Sequence, residues 1–359
     1  MPALGVCSRT PAWHLLRAAT LAAACALGAC GGGGAGGGAL PGGTPTVPPP
    51  TAPPTVPPTS SPPTEGVPDL GVGADLHGYR PFPDDDPWNT RVDGAARDPA
   101  SDTLIASIGL DVGLHPDFGA DWDGGPFGIP YVVVGGSQPR VPMTFDYADE
   151  SDAGPYPVPP DAPIEGGAAS TGDRHVLVLD RDGHTLFETW SSWPLGNPAV
   201  DGWHAGSGAV FPTTRSPARP AGWTSADAAG LPVFPGLARY DEVARGEIRH
   251  ALRFTCARTR RAYVAPATHF ASSYRGADRP PMGMRVRLKA SFDVSAYPPQ
   301  ARVVLTCLQR YGMLLADNGS DWYVSGAPDA RWDDDDLGTL KGVLGRHFEV
   351  VSMGAVVTD

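Results

Sequence analysis

The sequence predicts a mainly β fold, an antiparallel, jelly-roll-like β-sandwich with long loops and a few short helices. Three observations lead there. Proline recurs throughout residues 67–359, which keeps regular elements short. The apolar runs are rich in β-branched and aromatic residues and end at turn residues. One stretch, "RHVLVLDRDGHTLFETW", places two such runs around Asp182-Gly183, a dipeptide suited to a tight hairpin.

From the N-terminus, residues 1–17 carry Arg9 and Arg17 and no acidic residue, and an uncharged Ala/Leu-rich run follows over 18–29. A basic stretch before a short apolar run is the plan of an export signal. The run is shorter than the roughly 20 residues that span a bilayer. It ends in Leu27-Gly28-Ala29-Cys30, which resembles the lipobox of bacterial lipoproteins. The resemblance implies removal of residues 1–29 and acylation of Cys30, a stable anchor because more than one chain inserts. With Gly31 following the cysteine, it implies delivery to the outer membrane if the cell is Gram-negative; the alternative is ordinary signal cleavage that leaves Cys30 a plain thiol. Residues 30–66 combine glycine runs with "TPTVPPPTAPPTVPPTSSPPT" and carry one charge, Glu65. Such a segment cannot bury a core, and its Pro/Thr part reads as a semi-rigid tether reaching on the order of 70 Å.

Residues 67–359 then form one β-rich domain. Strands are expected at 131–134, 141–145, in the two runs 175–181 and 184–190 that flank Asp182-Gly183, and at 247–256, 261–265, 282–289, 313–316 and 348–352. Helices are expected at 101–108, 225–229, 298–311 and 336–344, the third bounded by proline and by Gly312. Without Arg9, Arg17 and Glu65 the domain has 25 basic and 38 acidic residues, net −13. That charge argues against nucleic acid or an anionic membrane face as partner. Cys256 and Cys307 stand in apolar contexts and are either paired or free and buried.

Candidate chemistry begins in the hairpin. If Leu179 faces Leu186 and Leu177 faces Glu188, alternation puts His175, Leu177, Leu179, Leu186, Glu188 and Trp190 on one face. Val176, Val178, Phe187 and Thr189 share the other, so the hairpin is central. A carboxylate among apolar and aromatic neighbours has a raised pKa, as a general acid requires. Glu188 is therefore a candidate acid, with His175 diagonal to it and Trp190 as a platform for a sugar face. The structural alternative pairs Glu188 with an arginine or with His175. In "EIRHALRFT" and "MGMRVRLKA" alternation aligns Arg249 and Arg253, and Arg285 and Arg287, as a basic row able to hold uronates. A solvated sheet face would give the same pattern.

Three loops mix polar and aromatic residues: "SADAAGLPVFPGLARYDEV", "APATHFASSYRG" with His269 and Tyr274, and "LADNGSDWYVSGAPDARWDDDD" with Asp317 and Trp322. Loops at strand ends are where such folds place ligands. Asp317 is the candidate second carboxylate, since glycoside hydrolysis needs two. No cofactor is expected. The acidic runs at 84–86 and 333–336 could bind Ca²⁺ but lack EF-hand spacing. "HAGSGAV" is not a nucleophile elbow, and no zinc, P-loop or dinucleotide motif is present. The stretches "RHALRFT", "APATHFASSYRG" and "PPMGMRVRLKA" resemble a group of secreted bacterial proteins without an assigned reaction, so no residue roles follow.

The readings that result are three. The first is a surface-anchored hydrolase of extracellular polysaccharide, using Glu188, Asp317 and His175 with Trp190 and Trp322 as platforms. The second is a uronate lyase using Arg249 and Arg253 with His269 or Tyr274. The third is a non-catalytic glycan-binding or surface-structural domain.

Overall fold

The computed structural model describes residues 66–122 and 125–358; the expected export signal, Cys30 and all of the expected tether but Gly66 lie outside them. The element order opens with β1 (Gly71–Val72), α1 (Ser101–Ile108), β2 (His115–Asp117), β3 (Gly119–Trp122), β4 (Gly125–Phe127), β5 (Tyr131–Val134) and β6 (Met143–Phe145). It continues with β7 (Val176–Asp180), β8 (Thr185–Trp190), β9 (Trp193–Pro194), α2 (Pro198–Asp201), β10 (Trp203–Ala205), β11 (Ser207–Pro212) and α3 (Tyr240–Ala244). The remainder is β12 (Leu252–Cys256), β13 (Tyr263–Val264), β14 (Arg285–Leu288), α4 (Pro299–Arg310), β15 (Met313–Asn318), β16 (Tyr323–Ser325), α5 (Asp334–Gly338), β17 (Phe348–Val350) and β18 (Val356–Val357).

The fold is mainly β, as expected, with two large sheets. One has the order β1-β5-β7-β8-β11 and the other β17-β14-β15-β12-β16-β2. Antiparallel pairs dominate, but β5–β7, β12–β15 and β16–β2 are parallel, so both sheets are mixed. Among the described residues, no helix is long and apolar enough to cross a membrane.

The β7–β8 hairpin has the expected register: Leu177 opposite Glu188 and Leu179 opposite Leu186. The ladder stops at Asp180–Thr185, so the loop has four residues instead of two, closed by Gly183 N–H on Asp180 Oδ1 at 2.8 Å. One face of this sheet, with Tyr131, Leu177, Leu186 and Phe211, enters the main core. The other, with Val132, Val178 and Phe187, packs a second core with Val141, Tyr156 and Trp203. The hairpin is thus central, and both faces need apolar residues.

The six-stranded sheet has unlike faces. Leu252, Phe254, Met313, Leu315, Val286 and Val324 alternate onto an apolar, fully buried side. The register sets Arg253, Thr255, Tyr323, Ser325, Asp117 and, past a bulge, Asp317 on the opposite side. Arg285 and Arg287 share that polar face, so the basic row exists, but no basic patch results. Arg285 donates to the carbonyls of Pro87 and Thr90, and Arg287 pairs with Glu349 at 2.8 Å.

Segment 225–238 runs between the sheets without the helix expected at 225–229. Ser225 Oγ accepts the Asp227 N–H at 2.9 Å, a local bond that competes with helical pairing. Ala229 N–H donates to the Ala316 carbonyl and Ala238 N–H to that of Ser325, which ties the segment to the polar sheet. Phe234 meets Tyr131 edge-on at 5.0 Å on the other side.

The acidic run at 333–336 is engaged by backbone. Asp333 caps α5 by accepting from Asp335 and Asp336 N–H, and Asp336 accepts from Gln300 and Ala301 N–H at 2.8 and 2.7 Å, capping α4. Asp334 accepts from Ala120 N–H at 2.9 Å. At 84–86, Asp84 pairs with Arg80 and Asp86 accepts from Trp88 N–H. Cys256 and Cys307 are separate buried thiols; burial pushes Cys256 up to about 12.

Candidate functional site

The polar face of the six-stranded sheet forms one wall of a cavity of about 230 Å³. Asp117, Tyr323, Ser325, Arg253, Thr255 and Asp317 line it, and Glu165, Asp173 and His175 close it from the strand end before β7. Asp173 and His175 come together through a turn of the chain at Arg174, whose φ is 53°.

Two ion pairs organise its base. Arg253 donates from Nε and Nη2 to the two oxygens of Asp227 at 2.8 and 2.9 Å, and from Nη1 to Ser325 Oγ at 2.7 Å. Burial opposes the charge on this guanidinium, but Asp227 outweighs it and holds the proton more tightly than usual. His175 is buried, with Nδ1 2.6 Å from Glu165 Oε2 and Nε2 3.0 Å from the Ala226 carbonyl. Both partners are acceptors, so both ring nitrogens carry protons and the ring is an imidazolium. Burial works against that charge, yet the Glu165 carboxylate pushes the imidazole up to about 9. The same contact holds Glu165 below its usual range despite burial.

Asp317 and Asp117 behave differently. Burial, reinforced by the Asp227 charge and only partly opposed by Arg253, pushes Asp317 up to about 8. Its Oδ1 accepts the Asn318 N–H at 2.6 Å, and its Oδ2 lies 3.6 Å from Arg253 Nη2. Burial and the neighbouring Glu165 push Asp117 up to about 6. One carboxyl is therefore a stored proton at neutral pH, and the other is poised to take one. Glu165, Asp173 and His175 bring one ligand-type atom each within 4.8 Å of the others. His175 is no metal ligand as it stands, since each ring nitrogen already donates a hydrogen bond.

Of the residues singled out from sequence, Asp317, His175 and Arg253 meet in this cavity. Trp190 stands beside it, half-buried, donating its indole N–H to Asp173 Oδ1 at 3.2 Å. A Cβ on Gly206 would come within 2.3 Å of that ring, so glycine is what lets the indole sit there. Glu188 does not line the cavity. It is fully buried and accepts the Val233 and Phe234 N–H groups at 2.8 Å each. Burial raises it to about 7, but its two oxygens anchor segment 225–238 instead of facing a substrate.

Trp322 is also a core residue, stacked between Phe254 at 5.9 Å and Phe348 at 5.0 Å with its N–H on the Gly109 carbonyl. It cannot act as a platform, because no face of its ring is open. Arg249, four residues before Arg253, donates to the Gly78 carbonyl at 3.2 Å and lies outside the cavity. His269 bonds the Ala228 carbonyl at 2.7 Å, and Tyr274 donates to Asp278 at 2.8 Å. Neither lines the cavity.

Sequence reasoning passed over Asp117, Glu165 and Asp173, and quoted Asp227 without assigning it. Asp173 had a usable signal, its place two residues before His175. Asp117 had little, because Pro116 within "HPD" speaks against a strand.

Compared with protein-family models, with curated proteins and with solved structures, the chain matches none. The chemistry must be argued from the cavity alone.

Proposed function

We propose that the protein is a hydrolase of extracellular polysaccharide, held at the cell envelope through Cys30, in which Asp317 is the general acid and Asp117 the general base. The observation that carries this reading is the pair of carboxyls in one cavity with unlike proton affinities, Asp317 up to about 8 and Asp117 up to about 6. Asp317 would protonate the leaving glycosidic oxygen, and Asp117 would take a proton from the attacking water. The strand order β2-β16-β12-β15 puts three strand spacings of roughly 4.8 Å between the two backbones. The register also sets Asp117 two residues along from the level of Asp317, so the space between the two carboxyls is wide enough to admit both a substrate and a water. Asp227 and Arg253 fix the field at Asp317, and Trp190 supplies the aromatic edge.

The uronate lyase reading has less support, since Arg249, His269 and Tyr274 lie outside the cavity and Arg253 is matched by Asp227.

The test is incubation of the chain with a panel of neutral, acidic and aminated polysaccharides, following new reducing ends and unsaturated-uronate absorbance together. Reducing ends without that absorbance are expected. Asp317→Asn should lower the rate by about 100-fold or more while melting no earlier than the parent at neutral pH. No reducing ends from any polymer, or full activity in Asp317→Asn, would sink the proposal.

A further inference from the structure

We infer that the sugar ring this cavity receives is cationic, an amino sugar with a free amine, and that Asp117, Asp173 and Asp317 recognise the ammonium. The inference rests on reading the cavity as the substrate site, and it specifies that substrate's charge.

Five carboxyls, those of Asp117, Glu165, Asp173, Asp227 and Asp317, meet in the cavity or at its base, against two cations, His175 and Arg253. Each cation already has a carboxylate: Glu165 at 2.6 Å from His175, and Asp227 doubly bonded to Arg253. That leaves three acids. Asp317 has only the far side of Arg253, at 3.6 Å, beyond hydrogen-bonding distance. Asp173 accepts a neutral indole N–H and shares the His175 charge with Glu165. Asp117 has no ion-pair partner among the described residues; burial, Glu165 and Asp173 oppose its charge, and Arg253 offsets them only in part.

A uronate entering here would meet like charge from Asp173 and Asp117, beside an Asp317 carboxyl whose proton the same negative field retains. A neutral ring would leave the excess uncompensated. An ammonium offsets it, and the Tyr323 ring on the same wall, held by stacking on His115 at 4.0 Å, offers a face that also attracts cations. The grip of Asp317 on a proton is the same field acting on the smallest cation. The space of about 230 Å³, partly open to solvent, suits one monosaccharide unit.

The experiment is calorimetric titration of the whole chain with the methyl glycosides of glucosamine, glucose and glucuronic acid at about pH 6, where amines stay protonated. The aminoglycoside should bind about tenfold or more tightly than the neutral glycoside, and weaken with added salt. The glucuronide should not bind. Asp173→Asn changes an exposed side chain and should fold normally while losing part of the preference. Asp117→Asn with Asp173→Asn should lose most of it, with folding verified by melting. Equal affinities, a preference for the glucuronide, no binding at all, or an intact preference in the double variant overturns the inference. Amine-selective binding without cleavage of any polymer would sink the hydrolase instead and leave the charge selectivity standing. Cleavage of neutral polymers without amine preference would do the reverse.

Discussion

Glu188 and Asp317 are both carboxyls that burial raises, to about 7 and about 8. What separates them is where their oxygens point. Glu188 has two backbone N–H donors at 2.8 Å and no path to solvent, so its form is fixed by the segment it holds. Asp317 has one backbone donor and one oxygen facing a cavity. A residue-scale prediction distinguishes the roles. Glu188→Gln presents an NH₂ group to one of two N–H donors and leaves a buried group unsatisfied, a cost of about 2 kcal/mol. Urea titration should show that loss, and any fall in activity should track the folded fraction. Activity abolished with stability unchanged would return Glu188 to the chemistry. Sequence alone could place Glu188 on an apolar face beside Leu177 and Leu186, but not name the donors, because Val233 and Phe234 arrive from 45 residues away.

At the scale of elements, the 333–336 acids show a local signal with a distant use. Asp333 caps its own helix, as an Asp before a helix does. Asp336 instead caps α4, accepting the N–H groups of Gln300 and Ala301 across two elements. The Pro298 N-cap offers α4 no side-chain acceptor, so the carboxylate stands in for one. Asp336→Ala should cost about 1–2 kcal/mol and lower the melting temperature by roughly 3–6 °C, whereas Asp335→Ala, at an exposed site, should change little. Equal melting of the two variants would refute the cross-capping. The helices read best from sequence were those closed by their own periodicity. In α1, Leu104, Ile105 and Ile108 are buried at spacings of one face. The 225–229 stretch failed as a helix because Ser225 turns its side chain onto the local backbone.

For the whole molecule, the coupled buried groups set a pH dependence of stability. The His175 imidazole is raised from 6.5 to about 9, so its ion pair with Glu165 stabilises fully below about 6.5 and is lost as pH climbs to about 9. Asp317 and Glu188 bind protons more tightly folded than unfolded, so stability also falls as pH rises from their ordinary values of 3.8 and 4.5 to about 8 and about 7. Glu165 acts in the opposite sense: held low by His175, it contributes above about 4.5 and is lost as pH falls further. Maximum stability should therefore lie well on the acid side of neutrality, at roughly pH 4–5, and decline steadily towards pH 9. Calorimetric melting across that range checks it. Asp317→Asn should flatten the alkaline decline, and a stability plateau extending to pH 9 in the parent would contradict the protonated cavity. A domain charge of −13 adds repulsion in the same direction.

The sequence by itself determined the β class, the central hairpin with its register, the helices at 101–108 and 298–311, and the acidic balance. Each depends on neighbours within a few residues, on periods of two or 3.6, or on composition. It also brought forward His175 from an apolar hairpin face, Arg253 from a basic row on one strand face, and Asp317 from a polar and aromatic loop. Only the tertiary structure decided which of the polar residues meet. Asp117, Glu165, Asp227 and Asp317 come from four distant segments, and a parallel pairing such as β12 with β15 brings together residues some 60 positions apart. It also decided which aromatic rings are closed: Trp322 and Trp190 are equally aromatic in sequence, but one is stacked on both faces and the other stands at the edge of the cavity. Burial and charge compensation are properties of that assembly, and no periodicity in the chain encodes them.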